Sequence, residues 1–214
     1  MIITLLLDNP NSWIFPYAQD LEKRLQALGH TVTILHVAEA IPMGDICFLL
    51  SCEKIVPKEI RLRNKYNLVV HESALPQGKG WSPLTWQILE DKNDIPITLF
   101  EAEDKVDAGY IYVEDNMHFE GHELVDELRV VQGTKTIELA IAFVENIQNL
   151  HGRAQTGEES FYPKRTAKDS ELDVTKSIAE QFNLLRVVDN ERYPAFFRYN
   201  NNTYIIKIKK KPNQ

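Results

Sequence analysis

The sequence predicts an α/β protein with a doubly wound, Rossmann-like sheet, followed by a small α+β module. Three observations predict this class. The apolar run Ile2–Leu7 is typical of a parallel strand buried on both faces. Strand and helix patterns then alternate over residues 1–150. After the polar stretch His151–Ser160, which has the composition of a linker, the pattern changes and predicts a separate module over residues 161–214.

The elements of the larger region follow in order. Strand Ile2–Leu7 ends in a turn cluster, in which Ser12 is a candidate N-cap. Helical spacing predicts a helix over Trp13–Leu28, and Gly29 marks its end. The next elements are strands at Thr31–His36, Asp45–Leu50 and Tyr66–His71. A helix follows at Ser82–Glu90, with Ser82 as candidate cap and Pro83 in its first turn. Short strands are then predicted at Ile97–Phe100 and Tyr110–Val113.

A long amphipathic helix is predicted over Glu123–Leu150, with Gly133 as a point of interruption. In the C-terminal module we expect a helix at Glu171–Phe182. Two strands, Phe196–Tyr199 and Tyr204–Lys209, then flank an asparagine-rich turn.

Composition limits the function classes. The 214 residues carry a formal net charge of -7, which disfavours a nucleic-acid partner. No apolar run reaches the roughly 20 residues of a membrane span, and the N-terminus lacks a basic signal-peptide region. Cys47 and Cys52 form no Cys-x-x-Cys motif and are expected to be reduced. We therefore expect a cytoplasmic protein that binds neither nucleic acid nor membrane.

The chemistry is concentrated in Asn67–Pro83, where an apolar strand ends at His71 and a Ser/Pro/Gly turn follows. A histidine at the carboxyl end of a strand lies where open α/β sheets place their active sites. Asp107 supplies an acid farther along the chain. Taken alone, His71 is more simply a strand-end residue and Asp107 a turn residue; the surrounding motif favours a catalytic pair.

The pattern His-x-Ser-x-Leu-Pro-x-x-Lys-Gly-x-Ser-Pro, beginning at His71 and followed by Asp-x-Gly at Asp107–Gly109, resembles the folate-dependent formyltransferases. That family includes enzymes acting on methionyl-tRNA, glycinamide ribonucleotide and sugar nucleotides. Further matches lie at Phe161–Asp173 and Leu185–Phe196, in the family's order. The resemblance implies a formyltransferase fold, formyl transfer from N10-formyltetrahydrofolate to an amine, and no metal.

The resemblance implies that His71 accepts a proton and binds the developing oxyanion, assisted by Asp107. The family's catalytic asparagine, two residues before the histidine, is replaced here by Val69, which cannot donate a hydrogen bond. Asn67 shares that strand face but lies roughly 13 Å from the histidine position. Ser51 or a backbone N–H remains open as a substitute donor.

The resemblance also places the two substrates. The pterin ring is expected between the Leu50–Pro57 segment and the loop that follows Phe100, and the acceptor near the loop after the first strand, which precedes a helix N-terminus. The predicted folate-binding residues are Ser51, Ile55, Pro57, Phe100 and Glu103, and the predicted acceptor-binding residues are Asn9, Trp13, Ser73, Lys79 and Trp81. The alternative for these side chains is ordinary loop and helix packing.

The sequence favours the sugar-nucleotide branch, because the chain is acidic, is shorter than tRNA-formylating relatives and has the pattern Ser82–Trp86. The suggested acceptor is UDP-4-amino-4,6-dideoxy-N-acetylaltrosamine, of pseudaminic acid synthesis. A homodimer through Glu123–Leu150 is also expected. The alternatives are a formyltetrahydrofolate hydrolase and an inactive folate or nucleotide-sugar binding protein. His118 and His122 have a spacing that could bind a metal on a helix, but an exposed or structural role is favoured.

Overall fold

The computed structural model describes residues 1–211. The last three positions of the predicted module 161–214 lie outside the described residues. The strands are β1 Ile2–Leu6, β2 Thr31–Leu35, β3 Gly44–Leu49, β4 Asn64–His71, β5 Lys79–Gly80, β6 Asp94–Glu101, β7 Ile111–His118, β8 Phe161–Tyr162, β9 Ala195–Tyr199 and β10 Asn202–Ile206. The helices are α1 Phe15–Ala27, α2 Lys58–Arg61, α3 Pro83–Leu89, α4 Val125–Asn146 and α5 Phe182–Val187.

A six-stranded sheet in the order β2-β1-β3-β4-β6-β7 forms the centre of the fold. The first four strands are parallel, and β6 and β7 are antiparallel to their neighbours. The strands predicted at Ile97–Phe100 and Tyr110–Val113 are β6 and β7, which pair with each other and are longer than predicted. Because β7 is an edge strand, Glu114 and Asp115 face solvent and interrupt the apolar pattern used for the prediction.

Both faces of the sheet are covered, as the doubly wound class predicts. Alternate side chains such as Leu5 and Phe48 pack in the core shared with α1 and α4. The intervening side chains Leu6 and Cys47 pack in a smaller cluster with Ile60 of α2. Burial raises the pKa of the Cys47 and Cys52 thiols to about 12, so neither is a thiolate at neutral pH.

Helix α4 runs through Gly133 without interruption, which contradicts the prediction at this position. A Cβ atom added there would lie 2.4 Å from Cδ1 of Tyr17, so the glycine allows α1 and α4 to approach closely. Ile137, Ala140 and Phe143 of the same helix are buried in the main core. The apolar face of α4 therefore packs within this chain.

The predicted helix ends are partly correct. Gly29 ends α1 with φ +86°, and its N–H donates to the Gln26 carbonyl at 2.9 Å. Ser12 is not the N-cap, because its backbone forms a turn and Ile14 occupies the cap position without a side-chain bond. Ser82 precedes α3 but adopts φ +50° and makes no capping bond, so its predicted capping role is also wrong.

The helix predicted at Glu171–Phe182 is wrong; α5 begins where that prediction ends. In this segment polar side chains bind nearby backbone groups: Asp173 accepts from the Thr175 N–H at 2.9 Å, and Glu180 accepts from the Ser177 N–H at 2.8 Å. Such local bonds compete with helix formation. The predicted β9–β10 hairpin is confirmed, and its two turn asparagines have positive φ, as a tight hairpin requires.

The segment 151–160, here called the strap, is not a free linker. Its Arg153 exchanges two backbone hydrogen bonds of 2.8 Å with Ile111, and its Ser160 hydroxyl accepts the Gly78 N–H at 2.8 Å. After the strap, β8 pairs in parallel with β5. The strap thus binds the C-terminal region to the loops that follow β4 and β6, while the two-domain division remains a prediction. Within residues 1–211, no helix is long and apolar enough to cross a membrane.

Candidate active site

A cleft of about 640 Å³ opens at the carboxyl ends of β1, β3 and β4. This edge of the sheet is where the chain was predicted to place its chemistry. The cleft brings together nine of the predicted site residues: Asn9, Trp13, Ser51, Ile55, His71, Trp81, Phe100, Glu103 and Asp107.

Three predicted residues do not line this cleft. Ser73 is buried behind it, and its carbonyl accepts a bond from the Thr98 hydroxyl at 2.7 Å. Lys79 is also buried, because its ammonium group forms a 2.8 Å ion pair with Glu159 of the strap. Pro57 immediately precedes α2 and contributes no surface to the cleft. Burial thus keeps the side chains of Ser73 and Lys79 out of the cleft, whereas Pro57 is exposed outside it.

His71 and Asp107 lie together in the cleft. The imidazole Nε2 is 3.8 Å from Oδ2 of Asp107, and the two side chains are 8% and 13% exposed. The same Nε2 lies 2.8 Å from the carbonyl oxygen of Gly78. A carbonyl oxygen only accepts hydrogen bonds, so this contact assigns the proton of the neutral ring to Nε2. Nδ1 is therefore the unprotonated nitrogen that can receive a proton.

Asp107 is held by loops from distant parts of the chain. Its backbone has φ +50°, in the left-handed region, and its carboxylate accepts the Gly80 N–H at 2.8 Å. The backbone carbonyl accepts the side-chain amide of Gln155, in the strap, at 2.9 Å. The carboxylate thereby keeps its position beside the imidazole, on the Nε2 side of the ring.

Val69, which occupies the family's asparagine position, is part of an apolar surface. It lies next to Leu49 across the parallel pair and Phe100 across the antiparallel pair. Asn67 does not replace the missing amide, because its Nδ2 donates to the Arg61 carbonyl at 2.9 Å. The structure therefore agrees with the expectation that neither side chain donates a hydrogen bond beside His71.

The cleft extends to both faces of the sheet edge. We call one part the α2-side arm; its walls are Leu49, Val56, Val69, Phe100 and Ala102. The other part is the α4-side arm, and its walls are Trp13, Val70, Leu84, Leu128 and Gln132. Because side chains alternate along β4, residues 69 and 71 face one arm and residue 70 faces the other. His71 and Asp107 thus lie where the two arms of the cleft meet.

The sequence did not indicate the residues that brace these arms. Arg61 donates to the carbonyls of Val56 and Ala102 at 3.1 and 2.7 Å, and so joins the two walls of the α2-side arm. At the mouth of the cleft, Lys164 lies 4.1 Å from the centre of the Trp81 ring. These residues come from separate segments, and only the fold makes them neighbours.

His118 and His122 do not share a helix. His118 is the last residue of β7 and contacts Asp94, whereas His122 lies in the following loop and contacts Glu120 at 3.0 Å. Both side chains are exposed, as the favoured interpretation predicted. In the described part of the chain, no three His, Cys, Asp or Glu side chains group as a metal site.

The chain is similar in sequence to methionyl-tRNA formyltransferases. It is 25% identical to the enzyme of Caldicellulosiruptor saccharolyticus over 155 residues, which are 72% of this chain and 49% of that protein. The chain therefore spans about half the length of the curated relatives it matches. No family model matches the sequence.

Solved structures show the same architecture. A methionyl-tRNA formyltransferase from Clostridium thermocellum superimposes with a TM-score of 0.79 at 20% identity, covering 94% of this chain and 89% of that one. The chain has the formyltransferase fold. HypX from Aquifex aeolicus in complex with tetrahydrofolic acid gives a TM-score of 0.79 at 17% identity, covering 99% of this chain and 39% of that one. A sugar N-formyltransferase from a Shewanella species gives 0.68 at 15% identity, covering 100% and 99%. The resemblance to the formyltransferase family, predicted from the motif at His71, is confirmed.

Proposed function

We propose that the chain is an N-formyltransferase that transfers the formyl group of N10-formyltetrahydrofolate to the amine of a nucleotide-linked amino sugar. The observation that carries this proposal is the His71–Asp107 pair at the junction of two binding arms. A transfer reaction brings two substrates together at one proton-transferring group, and this cleft has that arrangement. The similarity to formyltransferases in sequence and fold supports the reaction class.

The α2-side arm fits a folate. Its walls are apolar, and Arg61 holds together the two loops that supply them. A pterin ring needs apolar surfaces for its two faces, and this arm offers them. Of the predicted folate-binding residues, Ser51, Ile55, Phe100 and Glu103 line the cleft. N10-formyltetrahydrofolate supplies the activated formyl carbon when it is bound there.

His71 acts as the general base. Its free Nδ1 takes a proton from the acceptor nitrogen while the new C–N bond forms, and it returns that proton to the departing N10 nitrogen. In between, the ring carries a positive charge, which the carboxylate of Asp107, 3.8 Å from Nε2, stabilises. Gly78 fixes the ring by accepting the other N–H at 2.8 Å. The chain thus supplies a base that is both oriented and electrostatically supported.

The charge that develops on the formyl oxygen needs a donor, and Val69 cannot provide it. We assign this role to the protonated ring of His71, whose Nδ1–H points away from the Gly78 carbonyl. One group then moves the proton and stabilises the oxyanion. This arrangement provides less stabilisation than a separate amide donor, whose loss costs about 10²- to 10³-fold in kcat in other acyl-transfer enzymes.

The acceptor branch rests on charge and on fold similarity. The net charge of -7 disfavours tRNA, and the similarity to a sugar N-formyltransferase extends through the C-terminal region. The first acceptor to test is UDP-4-amino-4,6-dideoxy-N-acetylaltrosamine. The proposal includes a cytoplasmic homodimer, and a monomer mass in solution that does not change with concentration would contradict that part.

A formylation assay tests the proposal. The purified chain receives N10-formyltetrahydrofolate and a panel of UDP- and dTDP-linked amino sugars, and products are analysed by mass spectrometry. A gain of about 28 Da on one sugar, the mass of CO, would establish both the class and the acceptor. Release of formate without any amine would instead indicate a hydrolase. Folate binding without either product would indicate an inactive binding protein.

A further inference from the structure

The α4-side arm contains a carboxyl group that the mechanism above does not use. Glu72 follows His71 directly in sequence, lines the cleft and is only 9% exposed. One of its carboxylate oxygens accepts the side-chain amide of Gln132, on α4, at 2.7 Å. Within residues 1–211, the other oxygen has no side-chain partner. Burial raises the pKa of this carboxyl group, so a hydrogen-bond donor bound in the cleft would stabilise its ionised form.

Glu72 is held firmly in place. Its backbone carbonyl accepts the Gln87 side-chain amide, from α3, at 2.5 Å, and Gln132 fixes the carboxylate from the opposite side. Arg129, which also lines the cleft, is paired with Asp189 at 2.8 Å rather than with Glu72. The carboxyl group is therefore a preoriented hydrogen-bond acceptor rather than half of an internal ion pair.

The surroundings of Glu72 suit a sugar ring. Trp13, Val70, Leu84 and Leu128 give the arm apolar walls, against which the C–H face of a ring can pack. A carboxylate only accepts hydrogen bonds, so its natural partner is a hydroxyl or amide N–H on that ring. The folate is assigned to the other arm, which leaves this one for the acceptor.

We propose that Glu72, positioned by Gln132, recognises the acceptor by accepting a hydrogen bond from a hydroxyl or N-acetyl amide N–H of its sugar ring. This inference rests on the proposed function and deepens it. It makes Glu72 a specificity-determining residue that contacts the acceptor and not the folate. An amino sugar that lacks a hydrogen-bond donor beside the reacting amine is expected to be a poor substrate.

The Glu72→Gln variant tests this role, because glutamine preserves the size of the side chain and removes its charge. The probe is UDP-4-amino-4,6-dideoxy-N-acetylaltrosamine, together with whichever panel sugar the wild type formylates. We expect the acceptor KM to rise by about 10-fold or more, and the folate KM and Kd to stay within about twofold. The matched control is Glu101→Gln, which alters a partly buried carboxyl that does not line the cleft, and its acceptor KM should be unchanged.

Two further readouts keep the inference falsifiable if the first variant is unstable. Gln132→Ala leaves Glu72 intact but removes the group that orients it, and we expect its acceptor KM to rise by roughly 3- to 10-fold. Melting temperatures report whether either change acts through folding. An unchanged acceptor KM in both variants, with the wild type active, would overturn this inference alone. A wild type that formylates no amine would overturn the proposed function and this inference with it.

Discussion

Asp107→Asn is the sharpest test of the catalytic pair. The substitution keeps an oxygen that can accept the Gly80 N–H, now 2.8 Å away, so the loop should keep its position. It removes the negative charge 3.8 Å from Nε2 of His71. At an effective dielectric constant of about 20, two unit charges at 3.8 Å attract each other by about 4 kcal/mol. This figure is the upper limit of what the imidazolium loses.

Water at the cleft mouth reduces that loss, because the Asp107 side chain is 13% exposed. We therefore expect kcat to fall by about 10²- to 10³-fold, since each 1.36 kcal/mol is about one factor of ten. The assay is single-turnover formylation with both substrates saturating, accompanied by a melting curve and a folate Kd. A kcat within about threefold of the wild type, at unchanged melting temperature, would refute the role given to this carboxylate.

Three other predictions concern stability. Arg186→Met removes a fully buried guanidinium paired with Glu123 at 3.2 Å, and should lower the free energy of unfolding by about 3 to 5 kcal/mol in urea titrations. Gly133→Ala places a methyl group against the ring of Tyr17 and should cost about 1 to 3 kcal/mol by the same measurement. Burial raises the pKa of Glu101 from 4.5 to about 7, so the folded state binds more protons between these values and stability falls as pH rises. Glu101→Gln should remove this dependence. Between about pH 4.5 and 8, the free energy of unfolding of the wild type should fall by roughly 2 to 3 kcal/mol relative to that of the variant.

Each stability prediction has a matched control or a contradicting result. Arg198→Met breaks an exposed ion pair with Glu171 and should cost no more than about 1 kcal/mol. An Arg186→Met loss no larger than this would contradict the buried pair. An unchanged melting point for Gly133→Ala would show that the Tyr17 ring moves aside freely. Parallel pH curves for Glu101→Gln and the wild type would show that the carboxyl is not perturbed.

The sheet was largely predictable because the burial of a strand produces a recognisable pattern of apolar residues in the sequence. A strand buried on both faces, such as β1, is a continuous apolar run. The edge strand β7 was predicted too short, since its solvent-facing residues are charged. The false helix at Glu171–Phe182 had helical residue spacing, but bonds such as that from Thr175 to Asp173 stabilise turns instead. The polar composition of the strap predicts a linker, because the sequence does not distinguish polar side chains that bind backbone groups from those that face water.

The site was predictable as far as its motif extended. His71 and Asp107 belong to a recognisable pattern, and the structure brings them within 3.8 Å. Nothing in the sequence indicates that Arg61 and Gln132 belong to the site, because each reaches the cleft only through the packing of distant elements. Glu72 did have a signal in the sequence. A charged residue that directly follows a strand-end histidine lies at the same edge of the sheet as the site. The prediction for Lys79 was wrong, because this lysine belongs to the motif but its ammonium group forms an ion pair within the protein.

The most direct test of the central claim follows the formyl carbon itself. The wild type and His71→Asn would receive N10-formyltetrahydrofolate labelled with carbon-13 in the formyl group and an accepted amino sugar, and the label would be located by NMR. The account predicts that the wild type transfers the label to the sugar nitrogen as a formamide, with little formate. His71→Asn should bind folate normally and transfer at least about 10²-fold more slowly. Label that appears only as formate, or transfer at the wild-type rate by His71→Asn, would contradict the account.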